Sequence, residues 1–137
     1  MITAVDTNVL LDVLGGDPTF GQASARALRL AIRQGQLLAC EVVWAEVAAS
    51  FPSAAAARNA LRLLGLAFGP LTVESALEAG FAWRAYRASG SPGTRVAADF
   101  LIGAHAFSHA DRLLTRDRGF YRTCFKRLVI LDPSKVP

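Results

Sequence analysis

Short apolar runs recur along this chain between longer stretches of helical character. They are "ITAV" at 2–5, "LLAC" at 37–40, "RLLT" at 112–115 and "RLVIL" at 127–131, with "PLTV" at 70–73 a further candidate. Each is too short for a helix, and none alternates polar with apolar residues as a half-exposed strand does. Strands apolar on both faces belong in a parallel sheet covered by helices on each side. The pattern therefore predicts an α/β fold with a mainly parallel sheet of four to five strands.

The helical stretches carry their own punctuation. "TNVLLDVL" has helical spacing and stops at Gly15-Gly16. Asp17 and Pro18 read as the N-cap and first position of the next helix. That helix should turn Ala27, Leu28, Ala31 and Ile32 inward and Arg26, Arg29 and Arg33 outward. "VVWAEVAAS", "AAAARNALRLLGL", "ESALEAGFAWRAYRAS" and "TRVAADFLIGAHAFSHA" follow as helices, with Ser53 marking a start and "GSPG" at 90–93 a loop. "DPSKVP" reads as a tail.

The 137 residues suit a single domain spanning 1–137, and 53% hydrophobic residues suffice for a core. No run approaches the roughly 18 apolar residues of a membrane span, and Asp6 interrupts what would be a leader's apolar stretch. Cys40 and Cys124 lack a paired spacing and read as free thiols, which suits a cytoplasmic location. The net charge of +4 comes almost wholly from arginine, a residue that forks onto phosphate.

The acids sort by their surroundings. Asp12, Asp17, Glu74, Glu78, Asp111 and Asp132 sit where capping or solvation explains them, and Glu41 directly follows a strand. Asp6 ends the first strand, Glu46 lies in apolar "VVWAEVAA", Asp99 in apolar "VAADFLIGAHAF", and Asp117 follows "RLLT". In open parallel sheets, ligands gather beyond the carboxyl ends of the strands. All four can reach that edge, where they repel unless a cation is bound. Hard oxygen donors select Mg²⁺ or Mn²⁺.

"AVDTNVLLDVL", "VVWAEV", "RVAADFLIGAHA" and "LLTRDRGF" together resemble the successive motifs of PIN-domain ribonucleases, most of all the VapC-type toxins of toxin–antitoxin pairs. The resemblance implies a three-layer α/β/α sandwich. It makes Asp6, Glu46, Asp99 and Asp117 a catalytic quartet binding Mg²⁺, for which Mn²⁺ can substitute. Thr7, Asn8 and Thr115 become polar companions that orient those carboxylates or their waters. It also implies Mg²⁺-dependent hydrolysis of RNA, a cognate antitoxin and a homodimer. Arg95, Arg112, Arg116 and Arg118 lie near the acidic blocks in sequence and are candidates to guide the RNA backbone.

Other readings compete. A phosphoacceptor receiver domain also gathers acids around Mg²⁺, and Lys135 sits where its lysine would, but Asp6 has no paired acid. A catalytically silent module that binds RNA or a partner is the other alternative. His105 and His109 stand one helical turn apart, a spacing that suits zinc, without a third ligand.

Overall fold

The computed structural model describes residues 1–90 and 95–137. Five strands form one parallel sheet: β1 (Ile2–Val5), β2 (Gln36–Ala39), β3 (Leu66–Phe68), β4 (Arg112–Leu114) and β5 (Ile130–Leu131). Their spatial order is β3-β2-β1-β4-β5. Thr3, Ala4 and Val5 pair with Leu37 and Leu38 on one side, through Thr3 and Ala4, and with Arg112, Leu113 and Leu114 on the other.

The helices among the described residues are α1 (Thr7–Leu14), α2 (Gly21–Gln34), α3 (Glu41–Ala48), α4 (Ala54–Leu63), α5 (Val73–Ala88), α6 (Ala97–His109) and α7 (Arg118–Cys124). The chain steps outward from β1 to β2 to β3, then returns across the sheet to β4 on the other side of β1. Crossovers between parallel strands are right-handed. Reversing the direction of travel therefore puts α5 and α6 on the face opposite α1 and α2, giving the three-layer α/β/α sandwich. The reversal falls between β1 and β4, and it opens a crevice at their carboxyl ends.

The core fills both faces of the central strands. Val5, Val9, Leu10, Leu113 and Leu114 are all but inaccessible. On the other side an aromatic cluster joins three helices: Phe100 of α6 packs 5.1 Å from Phe120 of α7 and 5.5 Å from Tyr86 of α5. That cluster fixes the helix starts bearing Asp99 and Asp117.

Several sequence expectations are corrected. The third strand is Leu66–Phe68 rather than "PLTV"; the Thr72 side chain instead accepts the Ser75 N–H and caps α5. Leu66 lies beside Leu37 in the sheet, a long-range pairing that short apolar runs do not reveal. Asp17 closes a turn, accepting from the Thr19 and Phe20 N–H groups, and α2 starts later at Gly21. Ile32 is exposed; buried Ser24 joins the inner face of α2 in its place. The short helix α7 was not foreseen, because "RDRGF" carries turn signals over a segment held in helix by Phe120 and Tyr121 against the core. Residues 91–93 of the "GSPG" loop lie outside the described residues. Ser53 caps α4 as anticipated, accepting from the Ala56 N–H.

Gly103 in the middle of α6 lies directly under the Phe125 ring, and a Cβ there would overlap it. Gly→Ala ordinarily favours a helix by about 1 kcal/mol. Here the overlap should win, and Gly103→Ala is expected to destabilise by about 1–3 kcal/mol. Thermal unfolding followed by circular dichroism should place its midpoint roughly 3–10 °C below wild type; an unchanged or raised midpoint would mean Phe125 yields freely.

Candidate functional site

The site is built on one register. Val5 pairs with Leu114, so the next residues on each strand, Asp6 and Thr115, stand side by side beyond the sheet. The Asp6 N–H extends the ladder by donating to the Leu114 carbonyl at 2.9 Å. Asp6 is then the N-cap of α1, its Oδ1 accepting the Thr7 N–H at 2.7 Å. Its Oδ2 accepts the Thr115 hydroxyl at 2.8 Å and the Asn8 amide at 3.4 Å.

Thr115 works in two directions. While donating to Asp6, its oxygen accepts the Asp117 N–H at 3.0 Å. Asn8 Oδ1 in turn accepts the Arg116 N–H at 3.3 Å. Asp6, Asn8, Thr115 and the backbone of 116–117 thus form one hydrogen-bonded unit across two strand ends. Thr7 carries it to a third element by donating its hydroxyl to Glu46 Oε1 of α3 at 2.7 Å.

Asp99 sits in the first turn of α6 and Asp117 at the N-cap position of α7. Arg95 lies between them, with Nη1 2.5 Å from Asp117 Oδ2 and 3.7 Å from Asp99 Oδ2. The buried Tyr121 hydroxyl stands beside Asp6 and feels the charges of Asp6, Asp99 and Asp117. Burial and that negative field together push the Tyr121 hydroxyl well above its usual value, so it stays a donor.

Asp6 is 6% exposed, and burial raises its carboxyl to about 6 against the pull of the Thr115, Thr7 and Tyr121 hydrogen bonds; the charge of Asp99 adds to the rise. The apolar neighbours of Glu46 and Asp99 in sequence suggested burial for them too. Glu46 is exposed and Asp99 partly so. Asp6 alone of the four is deeply desolvated.

Among the described residues, no three His, Cys, Asp or Glu side chains are already drawn together as a metal cage. The donor chemistry nonetheless fits a hard divalent cation. Asp6, Asp99 and Asp117 all offer oxygen donors; Thr115 links the first to the Asp117 backbone, and a cationic side chain stands between the other two.

The four candidate RNA-guiding arginines divide. Arg95 is at the acids, as described. Arg116 is turned onto buried Asp12 by two hydrogen bonds of 2.6 and 3.1 Å and lies over the Phe20 ring. Arg118 pairs with Asp132 at 2.7 Å. Arg112 is at the amino end of β4, bonded to Thr3 and Gln34, away from the crevice. Asp12, read from sequence as solvated or capping, is instead a buried anchor for Arg116 and Ser24. Its position in α1 facing α2 was the available signal. Tyr121 was missed as well, since a lone aromatic residue gives no hint in sequence of a carboxylate partner remote along the chain. His109 lies 3.3 Å from Ser75 Oγ, and His105 is buried beside it. Lys135 is exposed in a 3₁₀ turn after β5.

The PIN domain family model matches residues 3–126. No curated protein sequence is a match for the chain. Among solved structures, it is similar to VapBC2 from Rickettsia felis bound to a fragment of promoter DNA, with 18% identity over 96% of this chain and 98% of the other at a TM-score of 0.74. It is similar to VapBC-1 from nontypeable Haemophilus influenzae, with 20% identity over 98% and 100% and a TM-score of 0.74. It also resembles FitAcB from Neisseria gonorrhoeae, with 22% identity over 98% and 99% and a TM-score of 0.71. At these identities the likeness is one of fold.

The raised Asp6 value has a sign that can be tested without any activity. An unfolded Asp ionises near 3.9. Above about pH 6 the ionised, buried Asp6 opposes folding, and that penalty is relieved as pH falls from about 6 toward 4. Asp6→Asn removes the charge, though its amide satisfies fewer of the three donors. In EDTA at pH 7.5 the variant should melt above wild type by roughly 3–5 °C, a net gain of about 1 kcal/mol. The gap should close by pH 4.5. A variant that melts lower at pH 7.5 would show that the lost acceptor outweighs the relieved charge.

Proposed function

This chain belongs to the PIN-domain family, and from that premise we propose that it is a divalent-metal-dependent endoribonuclease and the toxin of a toxin–antitoxin pair. The observation that carries the proposal is the linkage of three acids beyond the ends of β1 and β4, where Thr115 joins Asp6 to the Asp117 backbone and Arg95 joins Asp117 to Asp99, within the segment the family model covers.

In this reading Asp6, Asp99 and Asp117 hold Mg²⁺, and Glu46 holds a second ion or positions the attacking water. The bound cation supplies charge compensation at the phosphate and acidifies water. The rest is the work of the chain's own groups. Thr115, bonded to Asp6 and to the Asp117 backbone, keeps two of the three ligands in fixed relation. Thr7 holds the Glu46 carboxylate toward the crevice, its second oxygen left to accept a proton from water. Attack by that water on phosphorus breaks one P–O ester bond, and the leaving oxygen takes up a proton. The Thr7 N–H, the Thr115 hydroxyl and the Asn8 amide donate to Asp6 and keep its Oδ atoms from turning away.

Partners follow from exposed apolar side chains. Leu11, Ile32 and Leu63 are exposed on α1, α2 and α4, and suit the docking of an antitoxin segment. Val73, Leu77 and Phe81, four residues apart on α5 and 58–71% exposed, form a strip suited to pairing two copies. Among the described residues, no helix is long and apolar enough to cross a membrane, and the proposed site of action is the cytoplasm.

Protein freed of any partner should cleave RNA with Mg²⁺ or Mn²⁺ and stop in EDTA. Asp6→Asn and Asp99→Asn should each lower the rate by at least ~100-fold, a loss of about 3 kcal/mol in transition-state stabilisation. Full cleavage in EDTA by a nuclease-free preparation would exclude the metal mechanism. For the toxin role, the product of a small neighbouring reading frame should co-purify with the chain and inhibit it. Harmless expression of the active enzyme alone would argue against that role.

A further inference from the structure

Arg95 was a candidate for guiding RNA, yet its guanidinium is committed elsewhere. Nη1 contacts Oδ2 of both Asp117 and Asp99, and the guanidinium carbon lies 4.4 Å above the Phe120 ring. Arg95 comes just before α6, Asp99 from its first turn and Asp117 from the start of α7. Two carboxylates that share one guanidinium nitrogen repel each other, and the cation between them offsets that repulsion. Arginine supplies that cation with a planar fork whose other face rests on an aromatic ring.

A divalent ion would need the same lone pairs. An oxygen that accepts a hydrogen bond from Arg95 along its open direction is not free to coordinate in that direction. Resting on the metal-dependent reading above, we propose that Arg95 is a built-in counter-ion for Asp99 and Asp117, a positioning residue that a divalent cation must displace in order to bind. Both states are then electrostatically satisfied: the metal-free state by the guanidinium, the loaded state by the ion. Its side chain is 31% exposed, so it can leave the carboxylates for solvent without crossing the core. The aromatic cluster beneath stays packed in either state, since Phe120 is held from below by Phe100 and Tyr86. Occupancy by Arg95 and by the ion are competing events at one pair of oxygens, and each weakens the other by the same factor.

The experiment uses the whole chain free of partner, with Mn²⁺ alone as the probe and binding read from the electron paramagnetic signal of the free ion. Arg95→Gln should bind Mn²⁺ tighter than wild type by the order of tenfold, within the usual range for coupled sites, and should melt lower in EDTA. Arg95→Lys keeps the charge without the fork; it should also bind tighter than wild type, by less, and it carries the test if the Gln variant does not fold. Arg33→Gln, an exposed change on α2, should bind as wild type. In wild type, Mg²⁺ should shift the Arg95 Nε–H resonance with the midpoint at which it raises the melting temperature. Equal or weaker Mn²⁺ binding by the Arg95 variants, or a stationary Nε–H resonance, overturns the role of Arg95 and leaves the metal-dependent reading standing. No Mn²⁺ binding by any of the proteins overturns both.

Discussion

The parallel pairing of β1 with β4 is the interaction on which the site depends. It sets Val5 opposite Leu114, and so puts Asp6 next to Thr115 where both strands end. From that one register follow the Asp6 N–H bond to Leu114, the Thr115 bond to Asp6 and the second Thr115 bond to the Asp117 backbone. Side chains alternate faces along a strand, so a slip of one residue would reverse the faces of the pair. The buried Leu113 and Leu114 resist such a slip, since it would turn core residues outward.

The crevice concentrates negative charge, and the structure answers it in different ways at different depths. Deep in the crevice, Asp6 has no ion-pair partner among the described residues but accepts from the Thr7 N–H, the Asn8 amide and the Thr115 hydroxyl, and burial raises it to about 6. Nearer solvent, Asp99 and Asp117 share a guanidinium. Farther round the rim, Asp12 and Asp132 are buried acids neutralised by Arg116 and Arg118. Those two arginines flank Asp117 in sequence, so their ion pairs tether the β4–α7 turn from both sides. Burying a carboxylate without a partner costs several kcal/mol, which is why an arginine-rich turn follows β4.

The alternation of strand and helix, the parallel sheet and the ends of β1, β2 and β4 were legible in the chain because apolar runs and caps act locally. The acids Asp6, Asp99 and Asp117 stood out for a related reason: each sits beside residues that must be buried. Reading failed where partners are remote in sequence. Leu66–Phe68 becomes a strand through its neighbour β2, and "PLTV" does not. Ile32 fits an inward helical stripe but meets no core, while Ser24 is buried because it bonds Asp12.

Sequence alone determined that a carboxylate would end the first strand, since "ITAV" followed by Asp-Thr-Asn admits a strand, a cap and a helix start in that order. It also set Asp6 apart from the acids with an ordinary surface role, but it placed Asp12, which is buried, among those acids and Glu46, which is exposed, outside them. Only the tertiary structure decided how those acids are compensated. Arg95 and Asp117 are 22 residues apart, Arg116 and Asp12 are 104 apart, and Thr115 and Asp6 are 109 apart. Electrostatic and hydrogen-bond partnership depends on distance in space, and in a sheet whose order reverses at β1 that distance is set by strand order rather than by position along the chain.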